Sequence, residues 1–212
     1  MGPKKEHYST RYPDVNLKVH TISESLRRHL YIFKTTTGVF SYRKIDLGTH
    51  VFIEHMSIPS EASVLLDLGC GYGPIGMVLG YNSRESEVYF IDKNRRAIWC
   101  VKENIKINLP NSQDRLHVRA GDYFDALKDQ SVRFDGIYMN PPLREGRDEF
   151  LSVLHEVPKY LNENGFFEFV IRKKMGAPFM LKYFQNEFPN ETIEVMVKRS
   201  GYWIFHCFHR FR

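Results

Sequence analysis

The chain has 212 residues, 42% hydrophobic and 26% charged, which are ordinary proportions for a globular protein built on one substantial core. No apolar run approaches the roughly 18 residues of a membrane span, and no signal-peptide core is present, so neither a membrane-embedded nor an exported chain is expected. Three cysteines, Cys70, Cys100 and Cys207, form no Cys-x-x-Cys pair, which argues against a disulfide framework and a zinc site and suits a reducing cytoplasm.

The net charge of +5 is unevenly spread. Residues 1–60 carry nine Lys/Arg against five Asp/Glu, residues 61–171 thirteen against seventeen, and residues 172–212 eight against three. Basic ends flanking an acidic middle are what a chain shows when its ends meet a polyanion and its middle holds a small cofactor. Solvated basic faces would give the same counts.

In chain order, residues 23–29 have helical spacing, and residues 31–34, 35–38 and 39–42 look like a small hairpin. From residue 60 onward strands and helices alternate. Residues 63–68 read as a buried strand, followed by the Gly-rich stretch 69–76 and a short helix. Residues 87–91 form a second strand, and Ala97, Ile98, Val101 and Ile105 mark a helix over 94–109. Residues 116–120 and 134–139 are further strands, the latter stopped by Pro141 and Pro142, which cannot donate to a ladder. A helix over 147–161 leads to a very apolar strand, 166–171. A helix over 178–188 then precedes two strands, 192–198 and 202–209, around Ser200-Gly201. This alternation predicts an α/β fold: a Rossmann-like, doubly wound, mostly parallel seven-stranded sheet with an antiparallel edge strand. Residues 1–60 are expected to be an N-terminal extension of helix and hairpin, and residues 61–212 the main domain.

The chemistry gathers at the strand ends. Asp67 ends the first strand, and Gly69, Gly71 and Gly73 follow at alternate positions. Glycine lets the backbone turn with positive φ and approach a ligand closely, while the next helix aims its N-terminal amides at the crevice. Asp92 ends the second strand, where it can accept from a ribose diol, and Asp122 follows the third, where it can accept from an adenine amine. Gly71-x-Gly73-x-x-Gly76 also fits a dinucleotide fingerprint, so a NAD enzyme has to be weighed. Asp67 would repel a pyrophosphate and attract the cationic sulfonium and amino group of S-adenosylmethionine, which favours the latter.

Asn140-Pro141-Pro142-Leu143 ends the fourth strand. An amide-like NH₂ is a poor nucleophile because its lone pair is delocalised. An asparagine carbonyl and a proline-fixed backbone carbonyl can accept its two hydrogens and aim the lone pair at a methyl group, so catalysis is positioning and electrostatics. Elsewhere the tetrad would read as a strand terminator and turn.

The paired motifs resemble the class I S-adenosylmethionine-dependent amino-methyltransferases that modify N6 of adenine, N2 of guanine or the amide of glutamine. Gly38-Val39-Phe40-Ser41 and Lys44-x-Asp46-x-Gly48-Thr49 are similar to the leading segment of the small-subunit ribosomal RNA guanine-N2 methyltransferases. His7-Tyr8-Ser9 and Phe33-Lys34-Thr35 resemble their compact single-domain members. The resemblance implies that Phe40 and Ser41 close the cofactor pocket, that Gly69, Gly71 and Gly73 line it, and that Asp92 holds the ribose. Asp67, Cys70, Lys93, Asp122 and Tyr123 complete the candidate cofactor set, and Asn140 orients the acceptor amine. One departure stands out: Leu143 occupies the place where relatives often carry a base-stacking Phe or Tyr, which lowers adenine-N6 and leaves guanine-N2 ahead, with Arg144 as a planar substitute. Arg27, Arg28, Lys44 and Arg144 are the candidate RNA contacts, and RNA, most of all ribosomal RNA, is the expected partner. The alternatives are methylation of a protein glutamine, adenine-N6 methylation and a non-catalytic RNA-binding module. His7, His20, His29, His50 and His55 share no ligand spacing, so no metal is expected. Trp99 and Trp203 read as packing residues, Cys70 has no base beside it in sequence, and a monomer is expected.

Overall fold

A computed structural model describes residues 10–128, 131–143, 146–189 and 191–208. Strands β1 (Val19–Leu26) and β2 (His29–Thr36) form an antiparallel two-stranded sheet, and helix α1 (Leu47–His55) follows. The main sheet takes β3 (Val64–Leu68), β4 (Glu87–Asp92), β5 (Leu116–Ala120), β6 (Phe134–Met139), β7 (Leu161–Arg172), β8 (Thr192–Arg199) and β9 (Tyr202–Phe208). Its order is β5-β4-β3-β6-β7-β9-β8, parallel except for β9, which pairs antiparallel with both β7 and β8. Helices α2 (Pro74–Asn82), α3 (Arg95–Asn108), α4 (Asp148–Tyr160) and α5 (Ala177–Glu187) cover it.

Strand alternation divides the core between two faces. Leu65, Val88, Phe90 and Tyr138 pack with α1, α2, α3 and the hairpin residues Leu26, Tyr31 and Phe33. Leu66, Leu68, Ile91, Ile137 and Met139 turn the other way, onto Phe150, Val153 and Met180 of α4 and α5. The chain builds outward from β3 through β4 to β5, then returns to β6 on the other side of β3. That reversal opens a crevice at the carboxyl ends of β3 and β6.

The N-terminal region corrects the sequence-based reading. Residues 23–29 are not a helix: Ser23 to Leu26 finish β1, and Arg27 and Arg28 make a two-residue turn with φ of 46° and 63°. Two successive positive-φ residues match the right-handed twist of a hairpin, but the motif normally advertises itself as Asn-Gly, and Arg-Arg hides it. Residues 31–36 therefore belong to one strand paired with β1, not to a hairpin of their own. Helix α1, unforeseen, starts at Asp46, whose carboxylate accepts from Gly48 N and Thr49 N. Strand β7 also begins earlier than residue 166 and is irregular around Gly165, where a Cβ would lie 2.8 Å from the Phe134 carbonyl oxygen.

Helix α3 fixes the hairpin in place. Asn104 accepts from Lys34 N at 2.7 Å and donates to Lys34 O at 3.0 Å, and Asn108 does the same for Ile32 at 3.0 and 2.8 Å. Two carboxamides one helical turn apart thus satisfy the outward backbone groups of β2. Asn104 also donates to Tyr72 O at 2.9 Å, tying the hairpin to the glycine loop.

Candidate active site

The crevice is a cleft open to solvent, with about 890 Å³ of empty space that includes its solvent-filled mouth. Its floor is the turn from β3 into α2. Gly69 N and Cys70 N both donate to Ile91 O, at 2.8 and 2.9 Å, so the loop folds back over β4. Gly69 and Gly71 have φ of 72° and 57°, a region open to glycine, and a Cβ on Gly71 would meet nothing within 4 Å. The backbone there faces free space in which a ligand can lie against it. Gly73 and Gly76 serve packing instead: a Cβ on Gly76 would lie 2.2 Å from the Phe90 ring, so only glycine lets α2 settle on β4.

Asp92 stands at the end of β4 on the cleft wall. Its Oδ2 accepts from Gly71 N at 2.8 Å and its Oδ1 from Asn94 N at 2.7 Å. Burial raises its pKa, partly opposed by those two amides. Asn94 caps α3 through Arg96 N at 2.9 Å and donates to Gly38 O at 2.7 Å. One strand end therefore positions the glycine loop, α3 and the segment bearing Val39, Phe40 and Ser41. On the same side, Lys93 pairs with Glu149 at 2.8 Å and Asp122 at 3.7 Å, and its ammonium lies 5.8 Å from the Tyr123 ring centroid.

Asn140 lies across the cleft at the end of β6. Its Nδ2 donates to Thr49 Oγ1 at 2.8 Å, and Thr49, almost fully buried, is itself a wall residue. With the NH₂ so engaged, the carboxamide oxygen is left to accept from a ligand. Pro141 and Pro142 continue the wall, and Leu143 N donates to Pro141 O at 2.9 Å in a tight turn.

Of the residues singled out in the sequence, the cleft brings together Phe40, Ser41, Gly69, Cys70, Gly71, Asp92, Lys93, Asp122, Tyr123, Asn140, Pro141 and Pro142. Asp67, Gly73 and Leu143 are not on its wall. Asp67 is buried behind the loop, where Oδ2 accepts from Gly76 N at 2.9 Å and, among the described residues, Oδ1 has no partner, so its role is not direct contact with a sulfonium. Burial, reinforced by the charge of Asp92 and opposed by the Gly76 amide, pushes its pKa up to about 7. Leu143 packs with the α4 and α5 side of the core.

Arg27 directs its guanidinium to the carbonyls of Ile53, at 2.6 Å, and Met56, at the end of α1. Those are carbonyls a helix end leaves without partners, so Arg27 serves as a helix cap. Arg28 is exposed in the same turn, beside His29, whose ring stacks on Tyr81 near the end of α2. That places the turn one helix length, roughly 13 Å, from the cleft. Lys44 is exposed and linked by its backbone to Ser41, and Arg144 and residues 7–9 lie outside the described residues. Asp46, Thr49, Tyr72 and Asn94 are wall residues that sequence reasoning did not select. The Asp-x-Gly-Thr spacing, an N-cap followed by a helix, was the signal for the first two.

The donor set suits S-adenosylmethionine: a glycine cradle with room above Gly71, carboxylates on the wall and an amide oxygen opposite. Among the described residues no group of three or more His, Cys, Asp or Glu could hold a metal, and no helix is long and apolar enough to cross a membrane.

Comparison with known proteins agrees with this reading. The chain is 31% identical over 199 residues to the uncharacterized protein YbxB of Bacillus subtilis (strain 168), covering 94% of this chain and 96% of that one. It is 28% identical over 193 residues to the ribosomal RNA large subunit methyltransferase G of Colwellia psychrerythraea, covering 89% of this chain but 48% of that protein, and so spans about half its length. Among solved structures, the 16S rRNA N2 methyltransferase (RsmC) of T. thermophilus, in complex with AdoMet and guanosine, shares the fold with a TM-score of 0.73 at 20% identity, covering 93% of this chain and 52% of that one. TYW2 of M. jannaschii, in complex with AdoMet, does so with a TM-score of 0.62 at 18% identity, over 93% of this chain and 90% of that one. The methyltransferase small domain model matches residues 30–206, most of the chain, and the protein belongs to that family of Rossmann-like, S-adenosylmethionine-dependent methyltransferases.

Proposed function

We propose that the protein methylates the exocyclic amine of an RNA base, N2 of a guanine in small-subunit ribosomal RNA being the favoured target. The observation that carries this reading is the Asn140 carboxamide, held by Thr49 with its oxygen left for an acceptor, on the same cleft as the glycine cradle. When bound, S-adenosylmethionine supplies an electrophilic methyl group. Asp92 and the backbone of Gly69 and Gly71 hold the donor, Phe40 and Ser41 close over it, and Asp122 and Lys93 flank it. The Asn140 oxygen takes one hydrogen of the acceptor NH₂ and a carbonyl of the proline turn takes the other. The nitrogen lone pair would then be aimed at the donor's methyl group, whose bond to sulfur would break as the bond to nitrogen formed, leaving a neutral thioether, and the surplus proton would pass to solvent. Residues 1–60 contribute cleft closure through Val39, Phe40 and Ser41, and an RNA contact at Lys44.

Two features favour guanine N2 over adenine N6. Leu143 is aliphatic and lies half-buried against the core, so no ring stacks on the base from that position. The structural relative solved with guanosine is an N2 methyltransferase of 16S ribosomal RNA. The test is incubation of the protein with tritiated S-adenosylmethionine and ribosomal RNA lacking its own methylation, then separation of labelled nucleosides. N2-methylguanosine is expected. Label in N6-methyladenosine, or in protein with none in RNA, would replace this reading with one of its alternatives.

A further inference from the structure

The two ends of the cleft differ in charge. Asp92 and Asp122 line the wall on the cofactor side, Asp122 paired with Lys93, whereas Asp46 lies on the Asn140 side, next to Thr49. Beyond Asn140 the polarity reverses. Met139 is level with Phe169 on β7, so β7 runs on past Asn140 to end at Arg172, and Lys173–Met175 turn just beyond it. At about 3.3 Å per residue, this turn stands roughly 10 Å from Asn140. Lys173 N donates to Gly201 O at 2.8 Å, which brings the β8–β9 turn to the same rim. Lys198 and Arg199 lie there, level with Trp203 and Tyr202. The place of this turn beside the acceptor is fixed by Tyr202, whose ring packs where a Cβ on Gly48, next to Thr49, would lie 2.6 Å away.

Arg172, Lys173, Lys174, Lys198 and Arg199 are all exposed, and among the described residues none of them pairs with a carboxylate. Aromatic faces accompany them. The Lys198 ammonium lies 4.2 Å from the Trp203 ring centroid, and Arg147, against Gly176, lies 4.6 Å from that of the exposed Phe179. Cations beside aromatic faces are what a single-stranded nucleic-acid surface requires: charge for phosphates and planes for bases.

We infer that the rim formed by Arg172, Lys173, Lys174, Lys198 and Arg199 is the surface that holds the RNA backbone flanking the target nucleotide. The inference rests on the proposed RNA substrate and places its main contact on the last third of the chain, not at the Arg27–Arg28 turn. A base entering the cleft at Asn140 leaves its neighbouring phosphates over this rim, and the acidic cofactor side repels them. The surface therefore orients the strand as well as attracting it.

The test is anisotropy with a fluorescein-labelled RNA stem–loop, titrated between about 50 and about 200 mM KCl. The wild type is compared with the triple variant Lys173→Glu, Lys174→Glu, Lys198→Glu, and with a control of equal charge change at exposed residues away from the rim, Arg84→Glu, Lys102→Glu, Lys159→Glu. Binding of S-adenosylmethionine by calorimetry verifies that both variants are folded. The rim variant should lose at least about tenfold in RNA affinity, and its salt slope should be shallower by about 2, at roughly 0.7 for each phosphate no longer neutralised. The control should stay within a few-fold of wild type. Equal losses in both variants, or none in either, would overturn the inference while leaving the RNA substrate intact. A wild type that binds the cofactor but no RNA would remove the substrate reading, and this surface with it.

Discussion

Asn140 and Thr49 stand 91 residues apart in sequence and 2.8 Å apart in space, Nδ2 to Oγ1, at the point where α1 meets the end of β6. An asparagine carboxamide can present either edge to a cleft, and only one edge accepts. By taking the NH₂, Thr49 selects the orientation in which the oxygen is left to accept, as the proposed mechanism requires. Thr49 is itself placed by Asp46, which accepts from its backbone N–H at 3.3 Å and from that of Gly48 at 2.8 Å.

Thr49→Val keeps the shape and removes the acceptor, so Asn140 loses its anchor. Methyl transfer should slow by about 10- to 100-fold, the cost of roughly 1–3 kcal/mol for an unsatisfied hydrogen-bond partner. The cofactor dissociation constant should stay within a few-fold of wild type, and Thr49→Ser should restore most of the rate. Kinetics of all three proteins at saturating cofactor check this. A Val variant at wild-type rate would mean that Asn140 is oriented by other means.

Asp92 joins the glycine loop to α3 by accepting from Gly71 N and Asn94 N. Asp92→Ala should weaken S-adenosylmethionine binding by about 1–3 kcal/mol, the scale for charge-assisted hydrogen bonds, and lower the melting temperature as two amides lose their partner. Calorimetry and thermal melting measure the two effects separately. NADH should not bind. Tight NADH binding without binding of the methyl donor would return the glycine loop to the dinucleotide class.

Asp67 gives the fold a pH dependence. Its pKa, near 7 in the folded chain, is above the ordinary carboxylate value, chiefly through burial. Below about pH 4 the group is protonated in both folded and unfolded chains. As pH rises towards 7 the unfolded chain releases the proton first, so stability is lost over that window and stays low above it. Asp67→Asn removes the titrating group, and its carboxamide can still accept from Gly76 N. Relative to wild type, the variant should gain on the order of 2–4 kcal/mol between pH 4 and pH 8, since each tenfold change in proton affinity is worth about 1.4 kcal/mol. Urea denaturation at both pH values measures it, and parallel curves for the two proteins would contradict the assignment.

Much of this was legible in the sequence, for identifiable reasons. Most of the parallel strands are short apolar runs ended by Gly, Asp or Pro, and their parallel direction follows from alternation with helices. Alternation also held the clue to Asp67. With Leu66 and Leu68 facing α4 and α5, Asp67 had to face α2, behind the glycine loop and off the cleft wall. The N-terminal region was harder to read. Arg27-Arg28 adopts positive φ without glycine or asparagine, and Val51-Phe52-Ile53, buried together in α1, leaves no polar stripe to mark a helix. The grouping of Lys173 with Lys198, and of Asn140 with Thr49, depends on which strands become neighbours, and no local pattern records that.

In the proposed mechanism, methyl transfer to an amine depends on Asn140 as the group that holds the acceptor. The direct measurement is single-turnover transfer from tritiated S-adenosylmethionine to ribosomal RNA by Asn140→Ala and Asn140→Asp, both confirmed folded and cofactor-bound. Removing one positioned polar group from a transition state costs about 10²–10³ in rate, so the Ala variant should fall by that factor with cofactor affinity nearly unchanged. The Asp variant keeps an acceptor oxygen but adds negative charge beside a cationic donor. It should bind the cofactor at least as tightly and still transfer slowly, with kcat falling and no matching rise in KM. Wild-type transfer rates in both variants would reduce Asn140 to a residue that ends a strand, and would contradict the amine mechanism.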